Sequence, residues 1–483
     1  MIGDMPAAEF RLHGHALVER VAELLENPKS RRVVPNVQPG DVDRELRDLP
    51  LVATGIPELL IEFDRVILPA LTQWNHPSFL GYFPNTGSYP AILAEILATA
   101  LNVNAMSWES SPGGTELESV ATDHLRRLLG LPEPLFAEIT DTASTGTMYA
   151  LAAAREFAAD LEVRELGLAG RQLPRLRVYC SEEAHSSVDK AAATLGLGYT
   201  GVRRVGTDGQ LRMSVDALAA AISADRKAGI RPLAVVATVG TTSTTAIDPV
   251  REIARICALE GLWLHVDTAY GGSAAVIPEM RWVLDGCELA DSLVVNPHKW
   301  LFVPMDCSVL YTRRPGMLAS AFSFTPAILS GGPGGSTDLM DYGLALGRRL
   351  RSLKLWFVLR YFGAEGLAER LRDHVRIARL FASWVQDDPA FELLAPVNFS
   401  TIVFRAVGGD SDSLNAQILE RVHRSGAVFI SHTRVRGSYA LRVAVGNIRT
   451  TEEYMAEAWG LIQKARGERG GLGPAVPSVS KRT

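Results

Sequence analysis

The sequence predicts an α/β protein: a mostly parallel sheet covered by helices on both faces, with a smaller α+β unit after it. Three observations predict this. From about Glu138 to Leu310, short apolar runs (176–180, 233–239, 262–266, 292–295 and 308–311) alternate with helical patterns such as 214–224 and 249–260. The runs are continuously apolar rather than alternating, as strands buried on both faces are. Several break at their carboxyl ends into polar, chemically capable residues, and that edge is where open α/β sheets bind ligands.

The flanking elements follow in order. Residues 9–26 carry apolar side chains at three-to-four spacing and end at Asn27-Pro28, which predicts an amphipathic helix. His13 and His15 lie two apart on it, so they point to different faces and do not form a metal pair. A proline-punctuated linker (34–41) leads to a second helix over 57–71, and neither helix has a core of its own. Residues 74–90 are rich in aromatics, glycine and proline without periodicity, which suits either a pocket wall or a hydrophobic plug. A helix is expected over 91–104, and Thr115 is expected to cap another beginning there. Asp141-Thr142-Ala143-Ser144-Thr145-Gly146-Thr147 precedes a helical pattern over 148–159. Hydroxyls and free amides at such a helix start form either a simple cap or a phosphate seat. No Walker lysine or strand-linked GxGxxG accompanies it, which argues against a nucleotide. Beyond residue 367, helix (371–386), strand (399–404), helix and strand (439–445) predict a small unit, and the Gly-, Pro- and Ser-rich stretch after Lys464 predicts a disordered tail.

Whole-chain properties narrow the function. With 483 residues, 47% hydrophobic content and a net charge of −5, the chain suits a large globular protein and gives no indication of a nucleic-acid partner. Cys180, Cys257, Cys287 and Cys307 are widely spaced in apolar surroundings, which suits reduced, buried thiols and neither disulfides nor a zinc site. No signal-peptide pattern or membrane-length apolar run is evident, so the expected location is cytoplasmic, with no membrane partner.

The chemistry concentrates at Ser292-Leu293-Val294-Val295-Asn296-Pro297-His298-Lys299-Trp300, an apolar strand that delivers a lysine against a tryptophan. Arginine supplies nearly all the other basic residues, and unlike a partly buried lysine it cannot form a Schiff base. A second strand, Leu264-His265-Val266-Asp267, ends in an aspartate 32 residues earlier. Pyridoxal 5′-phosphate needs both: a lysine to hold its aldehyde as an imine, and a carboxylate to keep its ring nitrogen protonated. Ala184-His185-Ser186-Ser187 and Gly240-Thr241-Thr242-Ser243 also follow predicted strands, and the flat ring of His185 suits stacking on the pyridine.

Taken with Glu9-Phe10-Arg11, Gly81-Tyr82-Phe83-Pro84, Ser107-Trp108, Thr115-Glu116-Leu117-Glu118, Leu346-Gly347-Arg348-Arg349 and Lys354-Leu355-Trp356-Phe357, these motifs resemble the group II pyridoxal-phosphate-dependent decarboxylases, typified by aromatic L-amino acid decarboxylase. The resemblance runs from about residue 6 to 460. It implies the fold-type-I, aminotransferase-like architecture with a seven-stranded sheet, and a homodimer with shared active sites. It also implies a division into an N-terminal helical dimerisation segment (1–85), a large cofactor domain (86–366), a small C-terminal domain (367–465) and a tail (466–483). By position, Lys299 resembles the imine lysine, Asp267 the ring-nitrogen partner and His185 the stacking histidine. Ala143, Ser144, Asn296 and His298 correspond to phosphate contacts, and Thr242 and Ala269 lie near the ring. Trp74, Tyr82, Phe83, Pro84, Asn85, Asn104 and Met106 fall where the family builds its substrate pocket. The implied reaction is decarboxylation of an L-amino acid to its amine and CO2.

Three positions depart from the family pattern. Pro326-Ala327-Ile328-Leu329 places Ile328 where the mobile loop usually presents a tyrosine, and isoleucine cannot donate a proton. Relatives lacking that tyrosine can divert the reaction to oxygen and release an aldehyde, ammonia and peroxide. The glycine-rich run 331–335 resembles a lid. Asn85 replaces a usual threonine and Met106 a usual aromatic residue, and both leave the amino acid substrate open.

Overall fold

The computed structural model describes residues 3–324 and 336–467. Ile328, the glycine-rich run 331–335 and nearly all of the predicted tail lie outside the described residues.

Seven strands form the central sheet: β1 (Phe136–Thr140), β2 (Leu176–Ser181), β3 (Val202–Val205), β4 (Arg231–Thr238), β5 (Trp263–Asp267), β6 (Ser292–Val295) and β7 (Ser308–Thr312), in the order β1-β7-β6-β5-β4-β2-β3. Only β7 runs antiparallel to its neighbours. The continuous apolar runs have a direct explanation: alternate residues feed two cores. Tyr179, Val235, Leu264, Val266 and Leu293 enter one face, while Val178, Cys180, Ala234, Val236 and Trp263 enter the other. Edge strand β3 (Val-Arg-Arg-Val) was not anticipated because it is not an apolar run; its arginines bond Asp225 and Asp189 at the sheet margin.

Register decides where the chemistry goes. Thr238 pairs with Asp267, and Asp267 with Val294. The carboxyl ends of β4, β5 and β6 therefore stand level, so the segments carrying Thr242, Ala269 and Lys299 leave the sheet side by side.

A second, antiparallel sheet contains β8 (Phe391–Leu393), β9 (Thr401–Ala406), β10 (Ser431–Val435) and β11 (Ser438–Ala444), in the order β10-β11-β9-β8. Ile402, Phe404, Leu441 and Val443 on one face bury against Ile418, Met455 and Trp459 of the helices Ser411–Ser425 and Glu452–Gly467. The helical segment Arg351–Asp387 runs from the large sheet's core to this one, interrupted in its helical geometry at Gly363.

Two helix starts differ from expectation. The helix expected at Met148 begins at Ala143, so Ala143–Thr147 form its first turn; small side chains allow this, with Gly146 close against Val294. The helix expected at Thr115 begins at Pro112, whose fixed φ suits a first helical position; the Thr115 hydroxyl donates back to Ser111 or Pro112 carbonyls. The N-terminal helix Ala7–Glu26 buries none of its side chains, and Leu93, Ile96, Leu97 and Leu101 of the helix Tyr89–Leu101 are exposed. The four cysteines are buried and unpaired. Among the described residues, no helix is long and apolar enough to cross a membrane.

Candidate active site

A cavity of about 390 Å³ opens at the carboxyl edge of the large sheet, lined by Lys299, His298, His185 and Thr242 on one side. Trp74, Tyr82, Phe83 and Asn85 line it with Ser243, Met305, Ser431, Thr433 and Arg442. Eight predicted site residues thus meet in one space. Lys299 sits on the short helix Pro297–Trp300 that follows β6 directly. Its Nζ lies 5.0 Å from the centre of the Phe83 ring. Burial lowers its pKa; Asp267 opposes that shift and Arg442 reinforces it. Loss of hydration thus brings the amine closer to its neutral, nucleophilic form.

Asp267 is buried at the end of β5, where its Oδ1 accepts a hydrogen bond from Ala269 N–H at 3.0 Å. That is the only hydrogen bond its side chain accepts among the described residues, so most of its acceptor capacity remains for a cation. Beneath it, Thr147 Oγ1 lies 3.4 Å from His265 Nε2, His265 Nδ1 lies 2.9 Å from Ser292 Oγ, and Trp263 Nε1–H donates to Ser292. Burial pushes His265 down to about 4, so this neutral chain links the helix Ala143–Phe157 to β5 and β6.

His298 and Asn296 form a donor pair. His298 Nδ1 accepts Cys307 N–H at 3.0 Å, and burial pushes the ring down to about 4. A neutral imidazole accepting at Nδ1 carries its proton on Nε2. Asn296 Oδ1 accepts from Ser308 at 2.6 Å, which leaves its amide Nδ2 only 3.3 Å from His298 Nε2. Two donors facing each other call for a shared acceptor, and an anion supplies one. Ala143 packs in a small cluster with Ala269 and Val294, which brings the first turn of the helix Ala143–Phe157, with Ser144, to the same strand ends. His185 Nδ1 accepts Ser187 N–H at 3.1 Å, and partial desolvation lowers its pKa, which favours the neutral ring. A buried lysine, a carboxylate with spare acceptor capacity, a flat histidine and an anion seat fit pyridoxal 5′-phosphate.

The opposite wall is aromatic. Phe83 stacks on Tyr270 (3.9 Å between centroids) and Tyr270 on Trp300 (4.9 Å), while Trp74 stacks on Tyr82 (5.7 Å). Gly81 is required because any side chain there would strike the Phe429 ring. Tyr82 adopts a left-handed φ of 50°, held by Ser431 Oγ accepting its N–H and Arg442 donating to its carbonyl. Sequence reasoning missed Arg442, Ser431 and Thr433. The Arg442 guanidinium lies 4.6 Å from the Phe83 centroid and donates to Ser243 O, and its buried Nη2 has no hydrogen-bond partner. Burial lowers it to about 10. The only sequence signal was an arginine inside an otherwise apolar strand, Tyr439-Ala440-Leu441-Arg442-Val443.

Other predicted residues lie elsewhere. Pro84 packs on Gly446. Asn104 and Met106 do not line the cavity. Asn104 Oδ1 accepts Arg348 N–H and Met106 O accepts Met340 N–H, so both hold the segment 338–348, in which Arg348 is buried between Glu118 and Glu138.

The family profile described as "Pyridoxal-dependent decarboxylase conserved domain" matches residues 39–407. The chain belongs to the pyridoxal-dependent decarboxylases. It is 39% identical to the aromatic-L-amino-acid decarboxylase of Sus scrofa, over 96% of this chain and 97% of that one. It is 36% identical to the phenylacetaldehyde synthase of Arabidopsis thaliana, over 95% and 96%. The crystal structure of Oryza sativa TDC with PLP and tryptamine superposes with a TM-score of 0.93 at 35% identity, covering 96% of this chain and 99% of that one. The decarboxylase is thus a fold-type-I enzyme, its cofactor is pyridoxal 5′-phosphate, and its reaction removes the carboxyl group of an amino acid as CO2.

Proposed function

We propose that this decarboxylase converts an aromatic L-amino acid to its amine. The carrying observation is the aromatic wall of Trp74, Tyr82 and Phe83 set against Lys299 and Arg442 in one cavity. The aromatic substrates named for the Sus scrofa relative support the same reading.

Lys299 would hold the cofactor through its amine, Asp267 would face the ring nitrogen and favour its protonated form, and the flat ring of His185 would suit stacking on the pyridine. Ala143, Ser144, Asn296 and His298 hold the phosphate, with Thr242 and Ala269 beside the ring. The bound cofactor supplies an electron sink for the electrons released when CO2 departs. Arg442 is the cation suited to orient the substrate carboxylate, and the aromatic wall excludes water from the bond that breaks.

Residues 1–85 act in dimerisation, supported by the coreless helix Ala7–Glu26 and the exposed apolar side chains of the helix Tyr89–Leu101. The dimer gives Asn104 and Met106 a place in the partner's cavity. The enzyme works in the cytoplasm, in keeping with its four unpaired cysteines.

A second reading rests on Ile328. Without a tyrosine to return a proton, the reaction ends in oxidation by O2 to an aldehyde, with ammonia and peroxide; the Arabidopsis thaliana relative is named a phenylacetaldehyde synthase. One experiment tests both: a panel of L-amino acids, with amine, aldehyde and peroxide quantified under air and under argon. Aromatic substrates giving amine in air support the first reading. Stoichiometric aldehyde and peroxide in air establish the second, with Ile328→Tyr expected to restore amine. A preference for non-aromatic amino acids overturns the aromatic assignment.

A further inference from the structure

Away from the active site, a cavity of about 380 Å³ lies between the N-terminal segment and the small sheet's helices. Three cations, Lys29, Arg31 and Arg32, line it against a single carboxylate, Glu457. Lys29 uses that carboxylate. Among the described residues, Arg31 and Arg32 have no salt bridge: Arg31 donates to Leu24 O and, at 3.5 Å, to Ser30 Oγ, and Arg32 donates to Val34 O at 3.2 Å and Arg424 O at 3.0 Å. Carbonyl oxygens satisfy hydrogen bonds but do not neutralise charge. Nearby arginines that do find carboxylates, Arg20 with Asp64 and Arg424 with Glu420, mark the contrast.

The remaining details point the same way. Arg31 Nε is buried without a partner, and burial lowers the pKa of that guanidinium, with Glu23 opposing and Arg20 adding to the shift. Arg31 is half-buried rather than fully desolvated, and its free Nε donor is one that an anion would complete. Ser30, Ser78 and Ser425 add hydroxyls to the lining. Gly426, at φ +75°, is occupied where its Cβ would stand by the Arg32 guanidinium, so the arginine lies flat across a backbone only glycine permits. His76 adds no charge: burial pushes it down to about 4, and its Nδ1 accepts Ser78 N–H. The Tyr454 ring, 5.1 Å from Lys29 Nζ, gives one wall an aromatic surface.

We infer that Lys29, Arg31 and Arg32 form a second anion site, separate from the cofactor's phosphate seat, that takes a phosphate dianion, either free or as a small phosphomonoester. The cavity exceeds the size of a bare phosphate; Arg31 and Arg32, neither of them in a salt bridge, give it positive charge, and the buried Nε of Arg31 is a free donor.

The test uses the holoenzyme, so that the cofactor already fills its own phosphate seat. Inorganic phosphate and phenyl phosphate are titrated calorimetrically at constant ionic strength, with chloride as the control. The expected result is saturable binding to the wild type, weakened about tenfold or more in Arg31→Gln and in the double variant Lys29→Gln/Arg32→Gln. The double variant changes exposed side chains only, so it decides the matter if Arg31→Gln does not fold. Tighter binding of phenyl phosphate identifies the ester as the preferred form; equal affinity identifies free phosphate. Absence of saturable heat in the wild type, or equal binding in wild type and the folded double variant, overturns the site.

Discussion

On one side of the cavity, His298 and Lys299 follow a strand whose end sheet register brings level with that of its neighbour, which ends in Asp267; on the other, Tyr82 is held by Ser431 and Arg442 across 349 and 360 residues of chain. The first wall is local. Each functional group lies within five residues of a strand end, and a buried two-faced core fixes the strand. The second wall is assembled from an aromatic loop and a hairpin of another sheet, and it is joined by single hydrogen bonds to backbone strained at Tyr82. The comparison teaches that the groups proposed for cofactor chemistry sit on short-range structure, whereas the wall proposed to orient substrate depends on how two distant segments meet.

The sharpest break of that comparison is Lys299→Ala. We expect activity to fall at least about 10³-fold and the visible absorbance of the bound cofactor to disappear, with the thermal stability of the cofactor-free protein unchanged or higher because a buried amine is gone. Asp267→Asn is expected to keep the fold and the cofactor yet lower kcat about 10²-fold or more, because the ring nitrogen loses its counter-charge. Both effects appear in kcat. On the other wall, Arg442→Met is expected to raise KM about tenfold or more with a smaller change in kcat, because of its proposed role in orienting substrate and its hydrogen bond to Tyr82 O; an equal loss in both parameters would move Arg442 to the chemical step.

The smallest effects are those of pH. His76, His265, His298 and His374 are each pushed to about 4 by burial, whereas the unfolded chain takes up those protons near 6.5. Each therefore costs the folded state stability as pH falls from about 6.5 toward 4. Glu138, raised to about 7, and Asp248, raised to about 6, act in the opposite sense, gaining stability as pH falls. Four groups outweigh two, so the melting temperature should fall on acidification below about pH 6. A melting series across pH checks this, and Glu138→Gln should remove the opposing contribution near neutrality.

The first wall was legible in the sequence because its information is short-range. Continuous apolar runs mark strands buried on both faces, and the residue that ends such a run must emerge at the ligand-binding edge. Lys299, Asp267, His185 and the hydroxyl-rich segment at 141–147 follow that rule, although the helix holding Ala143 and Ser144 begins five residues earlier than its apolar pattern does. Edge strand β3 escaped notice because arginines at a sheet margin leave no apolar signature. Arg442 escaped for the opposite reason: an arginine on an interior strand signals burial only once its neighbours are known.

By itself, then, the sequence determined the two-faced sheet, the strand ends and the residue types proposed to hold the cofactor, since each depends on side-chain periodicity and on groups a few residues apart. The tertiary structure alone decided three things: the sheet register that sets Asp267 beside the segment leading to Lys299, the meeting of Tyr82 with Ser431 and Arg442, and the gathering of Lys29, Arg31 and Arg32 against residues some four hundred positions away. Those depend on strand register, burial and hydrogen bonds between distant segments, and no pattern of near neighbours records them.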